Sequence, residues 1–130
     1  MARTILLAIA GIFFAGSAFA DTQTVDVRAG RSTVIGHIGV YNSFTCLSMA
    51  MQDMRVSRAP GHGSVRLRRV VGRMTNRQCR GKKLIYYRVT YTPRRGYRGS
   101  DQLTVDFKAQ VSDFDAQWGS HAVTYRINVR

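Results

Sequence analysis

Tyr91-Thr-Pro-Arg-Arg-Gly-Tyr-Arg-Gly-Ser-Asp101 lies between two stretches that alternate as β-strands, Lys83 to Thr92 before it and Gln102 to Val111 after it. Pro93 fixes its own φ and withdraws a ladder donor, which ends the first strand, while Gly96 and Gly99 permit positive φ. Asp101 is placed to fold its carboxylate back onto backbone N–H groups, as Asx residues do in turns. Tyr97 is the one large apolar side chain between the glycines and is expected to plug the end of the core. The stretch reads as a corner between two strands, which speaks to architecture and not to activity.

Outward from the corner the pattern stays with a period of two. Ile85, Tyr87, Val89 and Tyr91 share one face of the preceding strand. Leu103, Val105, Phe107, Ala109 and Val111 alternate with Thr104, Asp106, Lys108 and Gln110 in the following one, and Val123, Tyr125, Ile127 and Val129 repeat this near the C-terminus. Ser112 to Ser120 reads as a loop in which Trp118 caps the core, and Gly72 to Gly81 as an exposed loop holding Cys79. Upstream, Ser64 to Val71 and Met54 to Ala59 read as strands joined through Pro60–Gly63, a short glycine-rich link expected to make a hairpin. Asp21 to Arg31 forms a first strand and Ser32 to Val40 a bent one, whereas Tyr41 to Gln52 is expected to be irregular and pinned by Cys46. About seven short strands without a long helix predict an all-β, antiparallel sandwich.

Two spaced motifs carry a family resemblance. Pro60-Gly-His62-Gly63-x-Val65, followed by Tyr91-x-Pro93 and Gly96-Tyr97-x-Gly99-x-Asp101, resembles the P-x-H-G-x-V … Y-x-P-x-x-G-[FY]-x-G-x-D signature of bacterial cadherin-like and immunoglobulin-like β-sandwich modules. The match runs roughly from Met54 to Arg130. The resemblance implies the sandwich fold and a turn role for His62. It leaves function open, because such modules serve as spacers, adhesion units and carbohydrate-contacting domains.

Residues 1–20 read as a secretory signal peptide: Arg3 gives the charged start, Ile5 to Phe14 the apolar stretch, and Ala18-Phe19-Ala20 the small residues at positions −3 and −1 for cleavage before Asp21. The apolar stretch is short for a membrane span, and no second one follows. Residues 21–130 are then expected to form a single domain in the periplasm or outside the cell. Its two cysteines, Cys46 and Cys79, meet an oxidising compartment, and one intramolecular disulfide is expected over intermolecular pairing or two free thiols. A single domain behind the signal argues against a repeat-built adhesin stalk.

Charge is the most informative feature beyond fold. The 130-residue chain has a formal net charge of +13 and contains no glutamate. From Asp21 onward there are 19 basic and 7 acidic residues, and Met54 to Ser100 holds 14 of the basic ones with no acid. Arg66, Arg68, Arg73, Arg77, Arg80, Lys82 and Lys83 flank the expected disulfide loop, and Arg94, Arg95 and Arg98 decorate the corner. Arginine's planar fork suits phosphate, sulfate and carboxylate groups, and such a field draws polyanions from a distance. The expected partners are lipopolysaccharide phosphates, acidic polysaccharide, anionic lipid head groups or an envelope protein; the export signal argues against nucleic acid. The bland alternative is a solvated basic surface with no partner.

Nothing points to catalysis or a cofactor. His37, His62 and His121 are scattered, and Ser43, Ser48 and Ser64 lie in no nucleophile elbow. No C-x-x-C spacing supports zinc. Asp101, Asp106, Asp113 and Asp115 could make a calcium cluster, but the linker aspartates of calcium-binding cadherin modules are missing. Tyr86, Tyr87, Tyr91 and Tyr97 could form a sugar platform among the arginines, although alternating tyrosines more often pack in a core. Two functions remain: a non-enzymatic structural or interaction module, and a binder of anionic envelope polymer.

Overall fold

Alternation gives each strand one apolar face, and two sheets bury those faces against each other. The computed structural model, which describes residues 19–110 and 117–130, does this with seven strands. They are β1 (Phe19–Val27), β2 (Thr33–Gly39), β3 (Met51–Arg58), β4 (Gly63–Arg73), β5 (Lys83–Pro93), β6 (Gly99–Gln110) and β7 (Trp118–Val129). One sheet has the order β1-β7-β6-β3 and the other β2-β5-β4. Ile35, Ile38, Val89 and Tyr91 from the three-stranded sheet meet Val27, Leu103, Val105, Phe107, Tyr125, Ile127 and Val129 from the four-stranded one in a single core. Each large side chain buried there contributes about 1.5–3 kcal/mol.

The all-β sandwich with one disulfide therefore stands, with local differences. β1 runs parallel to β7, Phe19 opposite His121 through Val27 opposite Val129, so the larger sheet is mixed. The Pro60–Gly63 link is not a hairpin: β3 pairs with β6 and β4 with β5, so the chain crosses here from one sheet to the other. A short glycine-rich link signals a reversal without naming the sheet in which the chain resumes. Trp118 does not cap the core; it opens β7 and is 37% exposed. The loop that holds Cys79 is exposed as expected, with Cys79 itself buried in it. The residues expected to form a signal peptide lie outside the described residues up to Ala18, as do Val111, Asp113 and Asp115, whereas Phe19 and Ala20 open β1.

At one end of the sandwich the corner and the Pro60–Gly63 link pack on each other. Asp101, 8% exposed, accepts hydrogen bonds from the Gly61 and His62 backbone N–H groups at 2.9 and 3.0 Å, from Tyr91 Oη at 2.6 Å and from the Gln102 N–H at 2.9 Å. The His62 ring stacks on Tyr97 with centroids 4.1 Å apart, and Tyr97 Oη donates to the Ser100 carbonyl. Arg94 N–H donates to the His62 carbonyl at 2.7 Å. The Asx-type turn expected at Asp101 is thus one bond of four; the others reach about forty residues upstream or across to β5. Gly63 starts β4 where a Cβ would sit 2.5 Å from the Thr92 carbonyl oxygen, a separation only glycine tolerates.

Gly99 holds φ at +135°, a region hostile to β-branched residues, and a Cβ there would come within 3.1 Å of Tyr97 Oη. Gly99→Val is expected to cost about 1–3 kcal/mol. Urea denaturation checks this, and an unchanged midpoint would show that the corner backbone is not constrained as described.

Candidate functional site

The described acids and the bases of the smaller sheet fall on different sheets. β2, β4 and β5 carry six basic residues and no acid, whereas Asp21, Asp26, Asp53, Asp101 and Asp106 all lie on strands of the four-stranded sheet, beside four bases. The ion pairs among the described residues, Lys108 to Asp53 at 3.7 Å and Arg130 to Asp26 at 3.3 Å, use aspartates of that sheet only. The cations of β2-β5-β4 have no carboxylate to neutralise them there.

Strand register decides which of them converge. Val65, Leu67, Val89 and Tyr91 point into the core, so Arg66 and Arg68 on β4 and Arg88 on β5 point out. Arg68 stands directly opposite Arg88, and His37 of β2 lies opposite Arg88 on its other side. Like charges directly opposed across strands are destabilising. Next to this row is Tyr86. Its ring passes close over Gly72, where a Cβ would meet Cε1 at 2.9 Å, and its own Cβ lies close to Gly39. His37 meets Tyr86 edge-on, with ring centroids 5.3 Å apart. The outer face thus offers an aromatic ring on the sheet surface beside a row of guanidinium groups.

The other arginines and lysines singled out by composition go elsewhere. Arg73, Arg77, Arg80, Lys82 and Lys83 gather at the disulfide end, where Arg73 Nη1 donates to the Gly81 carbonyl at 2.8 Å. Arg94, Arg95 and Arg98 lie at the opposite, corner end, and Arg94 Nη2 donates to the Gly61 carbonyl at 3.1 Å. At roughly 3.3 Å per residue, the length of β4 puts these two groups about 30 Å apart. They do not form one site. Of the four tyrosines considered as a platform, Tyr91 is fully buried, Tyr97 packs against the core and Tyr87 takes the inward phase, leaving Tyr86 beside the arginines. Arg88 belongs to the basic block that the charge count finds but, like His37, is not among the residues singled out from it. Arg88 sits out of phase with Val89 and Tyr91, so the alternation already held the signal.

The fold-motif residues Pro60, His62, Gly63, Tyr91, Pro93, Gly96, Tyr97, Gly99 and Asp101 converge at the corner end, where their contacts are internal. Asp101 and Asp106 occupy opposite faces of β6, so the two do not share a cation site. Cys46 and Cys79 are bonded, with Cα atoms 5.4 Å apart. Among the described residues no cluster of His, Cys, Asp or Glu is arranged to hold a metal, and no helix is long and apolar enough to cross a membrane. A cleft on the outer side of the four-stranded sheet, lined by Asp53, Arg55, Asp106 and Lys108, mixes both signs of charge. In comparison with known proteins, the chain matches no family model, no curated protein and no solved structure.

Proposed function

We propose that this is an exported, non-enzymatic β-sandwich module of the immunoglobulin/cadherin-like kind that holds an acidic polysaccharide of the cell envelope on the outer face of β2-β5-β4. One observation carries the reading: Arg66, Arg68 and Arg88 project from a sheet with no acid on it, beside a tyrosine ring lying on the sheet surface. Guanidinium groups bind carboxylate or sulfate in a planar, bidentate manner, and the ring offers an apolar surface to a sugar. The repulsion between Arg68 and Arg88 in the free protein is relieved when a polyanion is bound. The signal-like N-terminus and the disulfide support a periplasmic or extracellular setting.

The test uses polygalacturonate, with its neutral methyl ester as control. Arg66→Glu/Arg68→Glu/Arg88→Glu is expected to weaken binding at least about tenfold near physiological salt, and wild-type affinity should fall steeply as salt rises. Arg28→Glu/Arg95→Glu/Arg98→Glu makes the same change in net charge away from the face and should retain most of the affinity. Equal losses in both variants would show that charge alone is read, and binding of the methyl ester would exclude the carboxylate as the ligand group.

A further inference from the structure

The end of the sandwich that carries the disulfide has features the basic face does not explain. Segment 40–50 and loop 74–82 are tied there by Cys46–Cys79 and by Asn76 Nδ2 donating to Tyr41 Oη at 3.0 Å. Ser48 Oγ accepts from the Ile85 N–H, and the Ala50 carbonyl from the Gln110 N–H, both at 3.0 Å, so this segment bridges the two sheets. Asn42 organises its tip: Oδ1 accepts from the Phe44 N–H at 2.8 Å and the Thr45 N–H at 3.2 Å, and its carbonyl accepts from the Cys46 N–H at 2.8 Å. The outcome is a held turn that presents Phe44 to solvent, 92% exposed, with Leu47 at 57%.

Six large hydrophobic side chains are exposed among the described residues, and five of them sit at this end: Tyr41, Phe44, Leu47, Val71 and Trp118. Arg77, Arg80 and Lys82 lie exposed on the apposed loop, which holds no acid. Scattered surface hydrophobics need no explanation, but apolar groups gathered at one end mark an interaction site.

We propose that the disulfide end docks on the surface of an anionic lipid bilayer, Phe44 and Leu47 entering the headgroup boundary while Arg77, Arg80 and Lys82 meet the lipid phosphates. Aromatic and aliphatic side chains flanked by cations are the composition of interfacial anchors, and basic groups at such a surface are drawn to anionic lipid. Trp118 and Tyr41 supply ring types that favour the bilayer interface. The disulfide and the Asn42 turn hold the tip before it binds, which reduces the ordering cost. A second copy is the competing occupant, and measuring self-association separates it from the bilayer. The arginines of the polysaccharide face are set back from this end, Arg66 lying seven residues along β4 from Arg73, roughly 20 Å away, while Tyr86, over Gly72, lies between the two.

Co-sedimentation with vesicles of phosphatidylcholine containing phosphatidylglycerol tests this. The purified protein should bind these vesicles and not pure phosphatidylcholine. Phe44→Ser/Leu47→Ser leaves the net charge unchanged and should lower partitioning about tenfold or more, with Phe44→Leu retaining most of it. Arg77→Ala/Arg80→Ala should weaken binding as well, with an unchanged unfolding midpoint because both side chains are exposed. The proposal is overturned if the double serine variant partitions like wild type. It is also overturned if wild type ignores anionic vesicles, or if the serine variant instead abolishes a concentration-dependent self-association. Polygalacturonate binding should survive the serine substitutions, which separates failure of the tip from failure of the face.

Discussion

Asp101→Ala is expected to destabilise the protein by about 3–5 kcal/mol, enough to remove a large part of the stability of a domain this size. The substitution deprives the Gly61, His62 and Gln102 N–H groups and the Tyr91 hydroxyl of their acceptor at once, in a site nearly closed to water. It also unties the link between β3 and β4 from the start of β6, so the loss is shared by both sheets. Thermal unfolding should show a midpoint lower by about 15 °C or more. A change of only a few degrees would mean that water replaces the carboxylate and that the corner is held by packing.

The same residue sets an acid limb. Burial by itself would raise the Asp101 carboxyl, but the hydrogen bonds from Tyr91, Gln102, Gly61 and His62 outweigh it and hold the group below the ordinary carboxylate range. The native state therefore binds this proton less tightly than the unfolded chain does. The resulting stability is present above about pH 4 and is lost as pH falls through the native value. Asp101→Asn should flatten that limb. On the alkaline side, burial and then the Asp101 carboxylate push the Tyr91 phenol up, and burial with Asp21 pushes Tyr125 up to about 12. Their contribution is present below about pH 10 and is lost as pH rises through the native values.

Removal of the disulfide, as Cys46→Ala/Cys79→Ala, is expected to cost about 3–4 kcal/mol, the closure entropy of the loop it spans. The bridge joins residues 33 apart in sequence. The loss should fall mainly on the unfolded state, because both cysteines sit in irregular segments that the strands already place close together. Denaturation of the oxidised protein, the reduced protein and the double variant separates the terms. Coincident curves would show that the bridge does not restrain the chain. The double variant should also present Phe44 less rigidly, weakening the proposed vesicle binding without altering the outer face of β2-β5-β4.

How much of this is legible depends on the range of the interaction. The strand around Leu103 and Phe107 can be read residue by residue, since alternation is a property of neighbours, and Val105 and Ala109 are buried as it requires. Pro93, Gly96 and Gly99 mark a corner because they act on their own φ. The Pro60–Gly63 link reads wrongly as a hairpin for the complementary reason: glycine and proline announce a change of direction and say nothing of which strand is met next.

Sequence alone thus determined an all-β chain, the places where it bends, the one internal cysteine pairing and a basic middle block free of acid. Tertiary structure alone decided the parallel seat of β1, the four donors on Asp101, and the division of the basic block into one sheet face and two distant ends. Arg68 and Arg88 are twenty residues apart in sequence and directly opposite in the sheet. Phe44, Val71 and Trp118 come from separate stretches and reach the same end of the sandwich. Face is encoded locally by a period of two, whereas neighbour and register come from backbone hydrogen bonds and core packing between distant segments, which no local pattern records.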